Sequence, residues 1–173
     1  HGGAARDHLA QENPSALIAG SANLTRHIEN VRSYGVPMVV AINRFSTDTQ
    51  SELDLLRQIC AEQEVEAVVA DHWARRSAGA AELAASVVHM VETQPAQFRY
   101  LYDDETPLWE KVRTIAQRTY GAQGIIANKR IREQFRDLQD AGFGHYPICI
   151  AKTQFSFSTD PHLLGAPSNH VVP

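Results

Sequence analysis

The chain has 173 residues, of which 43% are hydrophobic and 21% are charged, as in an ordinary globular protein. Its 16 Lys and Arg residues are outnumbered by 20 Asp and Glu residues, and the resulting net charge of −4 argues against a nucleic-acid partner. The longest apolar run is too short to span a bilayer, and no segment has the pattern of a signal sequence. We therefore expect a cytoplasmic protein with no membrane partner.

The first part of the chain alternates helical and strand patterns. Apolar residues at helical spacing predict three helices: residues 16–34, about 49–62, and 80–92. Gly35 is expected to end the first helix. Apolar runs at 36–42 and 65–70 predict strands buried on both faces, and residues 75–79 are expected to form a loop. This order of elements is typical of a parallel sheet with helices on its faces.

The stretch around Pro95 is the most linker-like in the chain and predicts two segments, residues 1–94 and 95–173. In the second segment, Thr106 is expected to be the N-cap of a helix that starts at Pro107 and ends near Tyr120. The other elements predicted there are a short strand at 125–126, a helix at 128–141 closed by Gly142, a buried strand at 146–152, and a β-like run that begins within 168–173.

The cysteines are expected to be structural. Cys60 and Cys149 both lie among apolar neighbours, so each is predicted to be a small buried hydrophobic residue. No CxxC or HExxH spacing occurs in the sequence, and its eight His residues are scattered. We therefore expect no metal site built from this chain alone.

Two aromatic residues follow the first two predicted strands. Phe45 comes shortly after the strand at 36–42, and Trp73 comes shortly after the strand at 65–70. The carboxyl ends of parallel strands share one edge of a sheet, so these rings could face each other across a slot that suits a flat heterocycle. The alternative is that each ring packs on its local core, and the residues alone slightly favour this alternative for Trp73.

Polar residues near the strand ends add further candidates. The side-chain amide of Asn43 could form hydrogen bonds with the edge of an adenine or a pterin. The Asp that would accompany it in a guanine-binding motif is missing. Thr47–Thr49 could bind a ligand but are more often a helix cap. Lys152 and Thr153 follow the third predicted strand, where the lysine is equally well a phosphate or carboxylate partner or an exposed surface residue. One of Phe155 and Phe157 is expected to face the core.

The run VAINRFSTDTQSELDLL, residues 40–56, resembles the VAINKFxTDTxxE segment of formate–tetrahydrofolate ligases (10-formyltetrahydrofolate synthetases). His1-Gly2-Gly3 is similar to the end of that family's ALKxHGG signature. The same order of motifs continues through the chain: DHWA at 71–74, FxxLYD at 98–103, GFG at 142–144, and PICIAKTQFSFS at 147–158. The resemblance implies an α/β fold with a mostly parallel sheet and helices on both faces. This fold would be P-loop NTPase-like and followed by a smaller α/β segment.

The resemblance also implies a function. Phe45 and Trp73 match the aromatic residues that sandwich the pterin of tetrahydrofolate, with Asn43 beside them. Members of the family activate formate with MgATP as formyl phosphate and then transfer the formyl group to N10 of tetrahydrofolate. The implied ligands are therefore small molecules: ATP with Mg²⁺ as cosubstrate, formate, and tetrahydrofolate. The intact protein is expected to be a homo-oligomer.

Two departures from the family pattern leave an alternative open. No GxxxxGK[ST] motif occurs, so the backbone cradle for ATP phosphates is missing, and the family carries it upstream of its HGG signature. Arg75–Ala80, RRSAGA, also replaces a Gly-rich turn such as KGGEGG. We expect an internal part of a longer polypeptide that is inactive alone. The alternatives are a non-catalytic pterin- or nucleotide-binding or oligomerisation module from a degenerate homologue and, less favoured, a GTPase-like domain.

Overall fold

The computed structural model describes residues 2–151 and 157–173 of the chain. These residues form two compact units, 1–98 and 99–173. Each unit combines helices with a pair of parallel strands, so the predicted α/β class is confirmed. No helix among the described residues is long and apolar enough to cross a membrane.

The first unit is built around two parallel strands. Its elements are α1 (Pro14–Ser33), β1 (Val39–Asn43), α2 (Gln50–Glu62), β2 (Glu66–Ala70), α3 (His72–Arg75) and α4 (Ala81–Thr93). β1 pairs with β2 in a register that runs from Val39 opposite Glu66 to Asn43 opposite Ala70. Both α2 and α4 pack against β2. The carboxyl ends of the two strands therefore lie side by side, as predicted.

Local signals explain where α1 and α2 begin. Asn13 caps α1, since its side chain accepts a hydrogen bond from the backbone of Ala16. Thr49 and Glu52 form a reciprocal capping box at the start of α2. The second carboxylate oxygen of Glu52 accepts a 2.9 Å hydrogen bond from the N–H of Asn13, so one carboxylate joins the starts of both helices. Hydrogen bonds from Asn13 and Thr49 lower the pKa of Glu52.

Two expectations for the first unit are corrected. The first strand starts at Val39 rather than residue 36 and extends to Asn43, and its Ala41 is exposed rather than buried. Pro37 has no N–H to donate to a sheet, and β1 pairs only with β2 among the described residues. The expected loop at 75–79 is instead the end of α3 followed by a 3₁₀ turn at Arg76–Ala80.

The second unit contains α5 (Leu108–Arg118), β3 (Gly124–Ile125), α6 (Lys129–Asp140), a 3₁₀ turn (Phe143–His145) and β4 (Val171–Val172). β3 and β4 are parallel, and Gly142 ends α6 with a φ of 90°. The expected cap at Thr106 is wrong. α5 begins at Leu108, whose N–H donates 3.0 Å to Oε1 of Gln139 on α6.

A fully buried lysine organises the second unit. Lys111 has no exposed surface, and its Nζ donates to the carbonyl oxygens of Asp104 at 2.6 Å, Gly144 at 2.8 Å and Tyr146 at 3.0 Å. The ammonium also lies 5.6 Å from the ring centroid of Tyr102. The hydroxyl of Tyr102 in turn accepts a hydrogen bond from the N–H of Ile148 at 2.9 Å.

This cluster overturns the buried strand predicted at 146–152. Residues 146–151 form no strand, and Tyr146 and Ile150 are exposed. The N–H of Ile148 is already bonded to the hydroxyl of Tyr102 and is not available to a strand ladder, and the carbonyl of Tyr146 is held by Lys111. Cys149 is consequently exposed, contrary to expectation, whereas Cys60 is buried as predicted.

Candidate functional site

A pocket of about 490 Å³ lies at the carboxyl ends of β1 and β2. It is lined by six residues from the two segments that follow these strands: Arg44, Phe45, Ser46, Asp71, Trp73 and Ala74. Parallel α/β sheets place their ligands outside this edge. Both aromatic residues singled out in the sequence therefore lie on one pocket.

Phe45 is presented by a tight turn. Its N–H donates a 2.7 Å hydrogen bond to Oδ2 of Asp48, and the N–H of Asp48 donates back to the carbonyl of Phe45 at 3.1 Å. Phe45 as a whole remains 58% exposed. Thr49 is the N-cap of α2, as expected. The carboxylate of Asp48 instead fixes the backbone that carries Phe45.

Trp73 is carried by the short helix α3, directly after β2, and is 77% exposed. Such exposure does not fit the alternative in which its ring packs on the local core. The N–H of Asp71 donates 3.0 Å to the carbonyl of Gly79, so residues 71–79 form a closed loop. At Gly79 a Cβ would lie 2.1 Å from the carbonyl oxygen of Asp71, so only glycine fits this approach.

The pocket also has charged lining residues that the sequence reasoning did not select. The N–H of Arg44 donates 3.2 Å to the carbonyl of Ala70 and extends the β1–β2 ladder up to the pocket. Arg44 and Asp71 lie beside the two aromatics on the lining, and their position just beyond the strand ends could have identified them. Arg44, the first residue after β1, is on the lining of this pocket. Asn43, the last residue of β1, is exposed and is not one of the six lining residues.

The remaining sequence candidates have different outcomes. Lys152, Thr153 and Phe155 lie outside the described residues. Phe157 is buried, as expected for one of the two phenylalanines, and its ring packs edge-on against Tyr120 with centroids 6.3 Å apart. Within 2–151 and 157–173, no group of three or more His, Cys, Asp or Glu residues could hold a metal ion.

The second unit has a cavity of about 640 Å³ beside β3 and β4. Its lining is largely apolar and includes Trp109, Ile125 and Phe135. Asn128 is polar, but its side chain is already used to cap α6 through the N–H of Ile131. This cavity offers few polar groups to orient a ligand. The pocket of Phe45 and Trp73 is therefore the better candidate site.

Comparison with known proteins agrees with the family resemblance found in the sequence. A family model described as formate–tetrahydrofolate ligase matches residues 1–173. A formate–tetrahydrofolate ligase of Granulibacter bethesdensis is 54% identical over the whole chain, which spans 30% of that relative. Those of Ruegeria sp. and Cereibacter sphaeroides are both 51% identical over the whole chain, which spans 31% of each. The chain thus spans about a third of the length of the curated relatives it matches.

Proposed function

Because the chain belongs to the formate–tetrahydrofolate ligase family, we propose that it forms the tetrahydrofolate-binding part of an enzyme that makes 10-formyltetrahydrofolate. In the proposed reaction, formate is activated by MgATP as formyl phosphate, and the formyl group then passes to N10 of tetrahydrofolate. The observation that carries this proposal is the shared pocket of Phe45 and Trp73 at the ends of adjacent parallel strands.

The lining residues suit a pterin. Phe45 and Trp73 offer two exposed aromatic faces, and aromatic stacking contributes about 0.5–1.5 kcal/mol beyond the burial of area. A pterin carries an amide-like edge with both N–H donors and a carbonyl acceptor. Asp71 supplies an acceptor and Arg44 a donor on the same lining, and Asn43 is proposed to contact the ring edge from the end of β1. These contacts would orient the ring rather than supply most of the binding energy.

The phosphate-transfer half of the reaction is proposed to depend on residues elsewhere in the polypeptide. The 173 residues contain no GxxxxGK[ST] motif, so they provide no Walker-type cradle for ATP. In this proposal, β1 and β2 belong to a larger P-loop NTPase-like sheet in a homo-oligomeric cytoplasmic enzyme. Lys152 and Thr153 would contact a phosphate or a folate carboxylate. The 173-residue segment alone should therefore release no ADP in response to formate, and formate-dependent release would contradict this.

Trp73→Ala in the intact polypeptide tests the pterin assignment. Loss of one stacking face should cost on the order of 1–3 kcal/mol, which raises the KM for tetrahydrofolate about ten- to a hundred-fold. Formyl phosphate formation, measured as formate-dependent phosphate exchange, should be largely unchanged. Tyr100→Ala, which removes an 81% exposed aromatic from the other unit, is the matched control and should change neither activity.

Other outcomes would contradict the assignment. Equal losses in the use of tetrahydrofolate and ATP would mean that Trp73 supports the fold. A loss confined to ATP would place adenine between the two rings. A polypeptide that binds tetrahydrofolate but forms no formyl phosphate would favour a non-catalytic pterin-binding module.

A further inference from the structure

The loop that carries Trp73 contains a residue in an unfavourable backbone conformation. Arg76 has φ 52° and ψ −137°. These angles match the first central position of a type II′ turn, which glycine occupies at no steric cost and which strains a residue with a Cβ. The strain follows from the backbone and the Cβ, so it does not depend on the guanidinium group.

Backbone hydrogen bonds, which include one from the N–H of Arg75 to the carbonyl of Asp71 at 3.0 Å, hold this loop in place without buried side chains at 72–78. Residues 72–78 are all exposed, and α3 has no buried residue and no side-chain cap. The loop is closed by the hydrogen bond from Asp71 to Gly79 and by the close backbone approach at Gly79. Strain at Arg76 therefore acts directly against this closure, because no side chain of residues 72–78 is buried to resist its relaxation.

We infer that Arg76 sets the affinity of the pocket by opposing the closed form of the loop that presents Trp73. A relaxed loop, in which Arg76 returns to negative φ, competes with the closed form. The apparent dissociation constant then equals the intrinsic value for the closed form divided by the fraction of loops that are closed. This inference rests on the proposed function for its ligand, tetrahydrofolate, and makes Arg76 a positioning residue that acts through Trp73.

The test compares Arg76→Gly with Arg76→Ala in the intact polypeptide. Both changes remove the guanidinium, but only glycine removes the Cβ that causes the strain. We expect Arg76→Gly to bind tetrahydrofolate about five-fold more tightly by titration calorimetry, the lower end of what one strained residue would produce. Arg76→Ala should bind within two-fold of the unmodified protein. Equal tightening in both variants, or none in Arg76→Gly, would overturn the inference.

A second measurement works without ligand. The Asp71 amide closes the loop, so its hydrogen exchange reports the closed fraction. Exchange should slow in Arg76→Gly and stay unchanged in Arg76→Ala; the same rate in all three proteins would refute the loop equilibrium. If no variant binds tetrahydrofolate, the proposed function fails, whereas the exchange rates still decide whether Arg76 opposes closure.

Substitution of a glycine by alanine tests the opposite change, in which the loop opens. Gly79→Ala places a Cβ against the Asp71 carbonyl and should open the loop, which speeds Asp71 exchange and weakens tetrahydrofolate binding at least ten-fold. Gly124→Ala is the matched control, because a Cβ there meets nothing within 4 Å. Similar effects from both substitutions would show that closure at Gly79 does not position Trp73.

Discussion

The Nζ atom of Lys111 donates a 2.8 Å hydrogen bond to the carbonyl oxygen of Gly144, which lies 33 residues away along the chain. The same ammonium also donates hydrogen bonds to the carbonyls of Asp104 and Tyr146. Three carbonyl dipoles compensate the burial of this charge, and the ring of Tyr102 adds a cation–π contact. One side chain thus fixes two loop segments against α5.

Lys111→Met should lower the free energy of unfolding of the second unit by about 3 kcal/mol, because one buried and two part-buried carbonyl groups lose a charged donor. The measurement is urea unfolding followed by circular dichroism. Lys129→Met removes a lysine that is 90% exposed and should shift the midpoint very little. An equal effect from the two variants would show that the carbonyl contacts of Lys111 contribute nothing to stability.

The two cysteines should differ in reactivity. Cys149 is exposed, whereas Cys60 is buried and burial raises the pKa of its thiol. With a disulfide reagent such as Ellman's reagent near pH 8, the native protein should release one equivalent of chromophore quickly and the second only on unfolding. Cys149→Ser should abolish the fast phase. Two fast equivalents would mean that the core around Cys60 is open.

Asp48→Ala should weaken tetrahydrofolate use in the intact polypeptide without impairing ATP use. The substitution removes the acceptor that holds the N–H of Phe45, and the loss of one such charged hydrogen bond, about 1.5 kcal/mol, corresponds to roughly ten-fold in KM. Asp48→Asn retains an acceptor oxygen and should recover most of the loss. Asp54→Ala, on the exposed side of α2, is the control. Failure of Asn to rescue would point to a direct ligand contact by the carboxylate.

Stability should fall in acid partly through Glu52. Hydrogen bonds from Asn13 and Thr49 lower its pKa in the folded protein below the usual 4.5. A lowered folded-state pKa gives stability that is present above the unfolded-state pKa and is lost as pH falls through the folded-state pKa. Glu52→Gln preserves a capping acceptor but cannot titrate, so its thermal midpoint should fall less steeply below pH 4.5. Glu62→Gln, on the same helix, should follow the unmodified protein.

Local signals allowed the helices to be predicted. Gly35 is expected to follow the end of α1 and Thr49 lies in the segment expected to cap α2, and both expectations hold because capping depends on residues only a few positions apart. Apolar runs also located the β1–β2 pair. The placement of Phe45 and Trp73 on one edge followed from parallel pairing alone, without any knowledge of side-chain contacts.

Long-range contacts account for what could not be predicted. The segment from Tyr146 to Ile150 has the apolar pattern of a strand, but its backbone is bonded to Lys111 and Tyr102, which lie 35 and 46 residues from their partners. A lysine is ordinarily an exposed residue, so no sequence pattern pointed to Lys111. The positive φ of Arg76 could not be predicted either, since a residue with a long side chain rarely adopts a positive φ.

The chain has two tryptophans, one in each unit. Trp73 is largely exposed in the first unit, whereas Trp109 in the second contacts the ring of Phe135 and the guanidinium of Arg132. Their indoles should therefore emit at different wavelengths, with Trp73 shifted to the red by water. Trp73→Phe and Trp109→Phe would each leave one tryptophan, so the unfolding of either unit could be followed by selective tryptophan excitation without an added label.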